Sequence, residues 1–190
     1  MKRIVTGIWV GLLIAGGVLP SAWATQVLYR TPRQLGTESR LVVRGEVIGV
    51  RSYWNETRTK IFTAARVSVD ETYKGSGAST IDVVQLGGVV GSVKVTVHGA
   101  LSWREGEDVV LFLEPYDGPS AGTETFQVSG FSQGKFSVQK DPRTGKSFVS
   151  RPETSGAELV GAPSAGSPEP SSRIENLSIE QFIDEALGRR

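Results

Sequence analysis

From residue 41 to residue 150 the chain repeats one theme: a short run rich in Val, Ile and Phe, closed by Gly, Ser, Asn or Asp, then another such run. The runs are LVVRGEVIGV from Leu41, FTAARVSVDETY from Phe62, IDVVQL from Ile81, GSVKVTV from Gly91, DVVLFL from Asp108, FQVSGF from Phe126, KFSVQK from Lys135 and SFVS from Ser147. Branched and aromatic residues bounded by turn formers predict strands. No helical-period segment separates them, which disfavours a parallel α/β sheet. In the second run Ala65, Val67, Val69 and Tyr73 share one face; in the fourth, Val93, Val95 and Val97 oppose Lys94, Thr96 and His98. One buried face and one wetted face mark an antiparallel sheet. The chain has no cysteine, so no disulfide can brace an open sheet whose edges would template aggregation. The expected fold is mainly β: a small closed antiparallel barrel spanning residues 25–150.

The flanks carry helix signals. Thr31 as N-cap, Pro32 at the first helical position and Gln34 closing a capping box predict one short helical turn that Gly36 ends. Asp141 to Lys146, DPRTGK, suits a type I turn followed by a left-handed glycine, a hairpin between Val138 and Val149. Residues 151–173 shift to Pro, Ser, Gly, Ala and Glu and cannot bury enough surface to offset their ordering entropy, so they read as a disordered linker. Residues 174–190 read as an amphipathic helix: Ser178 caps it, Gln181 closes the box, Leu177 staples onto Phe182, and Ile179, Phe182, Ile183, Ala186 and Leu187 form one stripe. Gly188 stops it. A helix this short needs a docking surface, and the expected one is its own barrel.

Residues 1–24 read as a secretory signal peptide. Lys2 and Arg3 precede an apolar run from Ile4 to Leu19, then Ala22-Trp23-Ala24 supplies the small-residue cleavage pattern. At about 16 residues the run is shorter than the roughly 20 that span a bilayer, so cleavage after Ala24 is expected and no stable membrane span remains. The protein is then exported, periplasmic or secreted. The chain carries 21 Lys+Arg against 20 Asp+Glu, and loss of Lys2 and Arg3 brings the mature balance to −1. A nearly neutral surface has no long-range field to gather nucleic acid.

Chemistry-bearing motifs are sparse. His98 is the only histidine, and without cysteine a zinc site would need three carboxylates around it, a set zinc disfavours. No serine sits in a G-x-S-x-G elbow. Asp70-Glu71 and Glu105, Glu107, Asp108 lack the spacing of a calcium loop. Lys74-Gly75-Ser76-Gly77 has its lysine before the glycines and no helix after them, so it is a turn rather than a phosphate loop. No cofactor, metal or catalytic residue is expected. The rival reading is a carboxylate-based hydrolase of the envelope, which would hold two acids with raised pKa values, for instance Asp70 or Glu107, close together in one concave pocket; another is a structural envelope-assembly component whose C-terminal stripe docks on a different chain.

The succession LVVRGEVIGV, ARVSVDETYKG, IDVVQLGG, WREGEDVVLFLEP and GFSQGKFSV over about residues 31–140 resembles a pattern in uncharacterised exported bacterial proteins, similar to the OB-type β-barrel of netrin modules and tissue inhibitors of metalloproteinases. Those inhibitors grip zinc through an amino-terminal cysteine, which this chain lacks, so the resemblance implies the barrel and a role in binding protein, not the inhibitory mechanism. In OB-type barrels the loop joining the first two strands lines the binding face. Here it is Arg51 to Lys60, and Arg51, Tyr53, Trp54 and Arg58 are its candidate binding residues, because aromatics with arginine stack on side chains of a partner. The expected function is an exported, non-catalytic module that binds another protein.

Overall fold

A long antiparallel hairpin, β2 (Leu41–Trp54) with β3 (Ile61–Lys74), carries the rest of the molecule. The computed structural model describes residues 25–151, 157–160 and 177–189; the signal peptide expected over 1–24 and most of the expected linker lie outside the described residues. Around the hairpin stand β4 (Thr80–Leu86), the ribbon β5 (Gly88–Val90) and β6 (Val93–Val95), β7 (Asp108–Pro115), β8 (Thr125–Val128), β9 (Lys135–Lys140) and β10 (Ser147–Ser150). Helix α1 (Pro32–Glu38) precedes β2, and helix α2 (Ile179–Leu187) ends the chain. Two short strands, β1 (Thr25–Leu28) and β11 (Ala157–Val160), pair in parallel. The latter falls inside the stretch read as linker, where Leu159 and Val160 are its large apolar residues. The protein is mainly β.

The main sheet runs β10-β9-β7-β2-β3-β4-β8, and β8 also pairs with β7, so β7, β2, β3, β4 and β8 form a ring of five strands. Four joints are antiparallel. The fifth, β4 with β8, is parallel and only two pairs long, Asp82 with Thr125 and Val83 with Phe126. An all-antiparallel arrangement was the expectation, but strand directions cannot alternate around an odd number of strands, so one joint must be parallel. β7 divides its second edge, giving Val109 to Leu111 to β9 and Leu113 to Pro115 to β8. Register shifts between Val42 and Val43, Arg44 and Gly45, and Val47 and Gly49 bend β2. At Gly45 the bend brings the backbone against the Ser68 carbonyl, where any Cβ would collide.

Two cores flank the shared strands. Val43, Val47, Val67, Val83, Leu111 and Leu113 fill the inside of the ring. On the other side of β2 and β7, Val42, Val110 and Phe112 pack with Phe136, Leu35 of α1, and Ile179, Phe182, Ile183 and Ala186 of α2. The rings of Phe112, Phe136 and Phe182 touch pairwise, with centroids 5.6, 5.9 and 4.7 Å apart. The C-terminal stripe is thus docked on its own domain. Both capping boxes form: Thr31 with Gln34, and Ser178 with Gln181. Gly188 takes the left-handed conformation at the C-cap, with φ 67°.

Three local readings differ. α1 does not end at Gly36 but continues to Glu38, because Gly36 is the point where α1 meets the Ala186 carbonyl of α2 and only a residue without Cβ fits. The fourth run stops at Val95, and the chain turns through His98 and Gly99. The sixth stops at Val128, and Phe131, which its place in the run FQVSGF predicts to be core, stands 46% exposed in a tight turn.

Candidate functional site

β2 continues through Trp54, so the expected loop from Arg51 shrinks to a tip, Asn55 to Lys60. Asn55 holds that tip together: its Oδ1 accepts from the Thr59 and Lys60 amides at 2.8 and 2.9 Å, and its carbonyl accepts from the Arg58 amide at 2.9 Å. Arg58 sits there at φ 53°, exposed.

Strand alternation separates the four candidates. Arg51 and Tyr53 are two apart and share the outward face of β2; Trp54 lies on the opposite face, across from Ile61. Register aligns Tyr53 with Phe62 and Leu86, and Arg51 with Ala64 and Val84. The result is an outward aromatic row. The Arg51 guanidinium lies 4.9 Å from the Tyr53 ring centre, Tyr53 stacks on Phe62 at 6.1 Å, and Phe62 meets Tyr116 edge-on at 6.4 Å. Tyr116 enters from the segment between β7 and β8, and Gly118 lies so close over its ring that a Cβ would collide. Burial raises the hydroxyl pKa of both Tyr53 and Tyr116. Asn55 to Thr57 and Pro119 line one hollow of about 250 Å³, so the two loops stand side by side.

Beside the row, Asp82 of β4 takes a two-pronged bond from Arg66, at 2.9 and 3.0 Å, and lies 3.6 Å from Arg51. Bonding to Arg66, reinforced by Arg51, holds its carboxyl below the usual range. Phe62, Tyr116 and Asp82 were not among the residues picked from sequence; only the register between distant strands brings them to Arg51 and Tyr53.

The two acids named as examples of catalytic carboxylates have different surroundings. Asp70 is exposed on β3, whereas Glu107 accepts from Ser137 at 2.7 Å and from Lys135 at 2.8 Å. The Lys135 side chain is 1% exposed, and its Nζ also donates to the Ser102 carbonyl at 2.7 Å and lies 4.7 Å from the Trp103 ring centre. Burial lowers the Lys135 pKa, and bonding to Glu107 opposes that shift. His98 is exposed, and among the described residues no group of three or more His, Cys, Asp or Glu side chains is placed to hold a metal ion. Among the described residues no helix is long and apolar enough to cross a membrane.

A second feature lies where β4 and β8 part beyond their two pairs. A cavity of about 390 Å³ opens there, walled by Val84, Leu101, Trp103, Tyr116, Val128 and Phe131. Gln85 clamps its loop wall, donating from Nε2 to the Leu101 carbonyl at 2.7 Å and accepting from the Leu101 amide at 3.1 Å. Comparison with known proteins adds no family: no family model matches the chain, and no curated protein matches it.

Proposed function

We propose that this chain is an exported, non-catalytic binding module, periplasmic or secreted, whose outward β2-β3-β4 face recognises another protein. The carrying observation is the row Arg51, Tyr53, Phe62 and Tyr116, an exposed cation beside a half-buried tyrosine, a buried phenylalanine and a second half-buried tyrosine. Arginine and tyrosine on a rigid strand, backed by a buried phenylalanine, are the residue types that dominate protein-binding hot spots. The five-strand ring supports reading the fold as a closed OB-type barrel similar to netrin modules, with β2, β3, β4, β7 and β8 as its strands. In such barrels the face of the second and third strands and the loops after the first and fourth form the binding side. Their counterparts here are β3, β4, the Asn55–Lys60 tip and the Tyr116–Glu124 segment, which adjoin one another.

The test is a quantitative comparison of partners recovered from the native cell envelope by the wild type and by Arg51→Ala and Tyr53→Ala. Both variants are expected to keep the wild-type circular dichroism spectrum and to lose at least about tenfold of the recovered partner, as hot-spot truncations do. Equal recovery by folded variants overturns the assignment of this face.

A further inference from the structure

We infer that the β5–β6 ribbon docks the protein on an anionic lipid surface, with Trp54 and the cations of the Asn55–Lys60 tip beside it. Valine fills four places between Gly88 and Val95, and register sets Val89 opposite Lys94 and Val90 opposite Val93. Val89 is 53% exposed and Val93 43%; neighbours along a strand point to opposite faces, so the two lie on opposite sides of the ribbon. The ribbon therefore stands clear of the body with an apolar side chain bare on each face, and bare apolar surface marks a place that something covers. A flat protein surface would cover one face, whereas a fluid lipid interface surrounds both.

The base of the ribbon is fixed. Gly88, at φ 137°, passes so close to the Ser52 and Thr63 hydroxyls that any Cβ would collide. Thr63 Oγ1 donates to the Gly87 carbonyl at 2.7 Å, the Val89 amide donates to Ser52 Oγ at 3.3 Å, and the Gly87 amide donates to the Ile61 carbonyl at 2.8 Å. Ser52 and Thr63 stand two pairs back from Trp54 and Ile61, the last pair of the hairpin, so the ribbon leaves the body beside the Asn55–Lys60 tip. Ser52 and Trp54 share the side of β2 opposite Arg51 and Tyr53, which keeps this place apart from the row assigned to a protein partner.

Charge selects the kind of surface. No Asp or Glu occurs from Val83 to Trp103, where Lys94 and His98 are the titratable side chains, and the tip adds Arg58 and Lys60 against Glu56, all exposed. Local charge is thus positive on a chain whose overall balance is near zero, so anionic headgroups are favoured on contact. A two-stranded ribbon leaves its outer backbone edges without strand partners, which bars it from the hydrocarbon core. The valines and the half-buried Trp54 therefore lodge at the boundary of headgroups and acyl chains, where tryptophan is favoured.

The test uses the chain from Thr25 on, which holds every described residue and lacks the apolar run Ile4–Leu19, itself drawn to membranes. It is mixed with vesicles of phosphatidylcholine and phosphatidylglycerol in equal parts. Saturable binding is expected, at least about tenfold tighter than to phosphatidylcholine alone. Tryptophan emission should shift to the blue and be quenched by lipids brominated high on the acyl chain, and Trp54→Phe should remove both changes although Trp103 remains. Val89→Ser with Val93→Ser, both at exposed sites, should keep the thermal midpoint and weaken binding at least about tenfold. Lys94→Gln should weaken it about fivefold. Tyr53→Ala should bind vesicles like the wild type, so this inference and the protein-binding face stand or fall separately. No binding of the folded chain to the mixed vesicles, or equal binding by the double serine variant, overturns the inference. So does a concentration-dependent dimer in sedimentation that the double serine variant abolishes, because a second copy is then the occupant.

Discussion

Asp82 ties the proposed binding face to the stability of the fold. Its carboxylate is shared by Arg66 and Arg51, and bonding to Arg66 is the main reason its pKa lies below the ordinary 3.8. A carboxyl whose folded pKa is depressed contributes stability that is fully present above its unfolded pKa and is lost as pH falls through the folded value. Asp82→Asn is therefore expected to lower the thermal midpoint at neutral pH, and the gap to wild type should close as pH drops below the ordinary carboxylate range. Thermal melts of both proteins across that range check it; a gap that persists in acid means that the pairing is not what Asp82 contributes. Sequence composition alone drew attention to Arg51 and Tyr53, since two aromatics among three cations stand out in any loop. It could not separate Trp54 from them, because the strand runs four residues further than expected, through Trp54 rather than Val50, and adjacent strand residues face opposite ways. Phe62 and Asp82 reach the face through cross-strand register, which bulges in β2 and β3 decide and composition does not record.

At the scale of elements, α2 depends wholly on packing. Nine residues cannot hold a helix in water, yet Ile179, Phe182, Ile183 and Ala186 are all buried and Gly36 lets α1 approach to backbone contact. Phe182 is the centre of that contact, touching Phe112 and Phe136. Phe182→Ala should cost about 3–5 kcal/mol of unfolding free energy, the usual loss for a fully buried phenylalanine. Urea titration followed by circular dichroism measures it, and a loss below about 1 kcal/mol would mean that α2 is dispensable to the domain. The helix itself was legible, because its cap, box, stripe and terminal glycine lie within a dozen residues of one another. Its berth was less so. The sequence VVLFL in β7 reads as an unbroken apolar run, and only the fold reveals why: Val109, Leu111 and Leu113 face the ring while Val110 and Phe112 face the helices.

For the whole molecule, parity sets the weak point. Five strands closing on themselves leave one parallel joint, and here that joint is two pairs long, whereas β2 and β3 pair over twelve positions. The run FQVSGF predicts β8, but its parallel partnership with β4 was not evident from sequence, since parallel neighbours share no turn and the two segments lie some forty residues apart. Local opening follows the least-connected segment of a structure rather than its average. β8 has three pairs to β7 and two to β4, so it can leave the sheet while the β2–β3 hairpin, with a core on either side of β2, stays intact. Native-state hydrogen exchange should therefore find the amides of Phe126 to Val128 exchanging at least about tenfold faster than those of Ala65 to Val67. Mass spectrometry on peptides covering the two segments reads this directly. Equal protection would mean that the ring opens as one unit with the hairpin, and that the short parallel joint is not where the molecule yields.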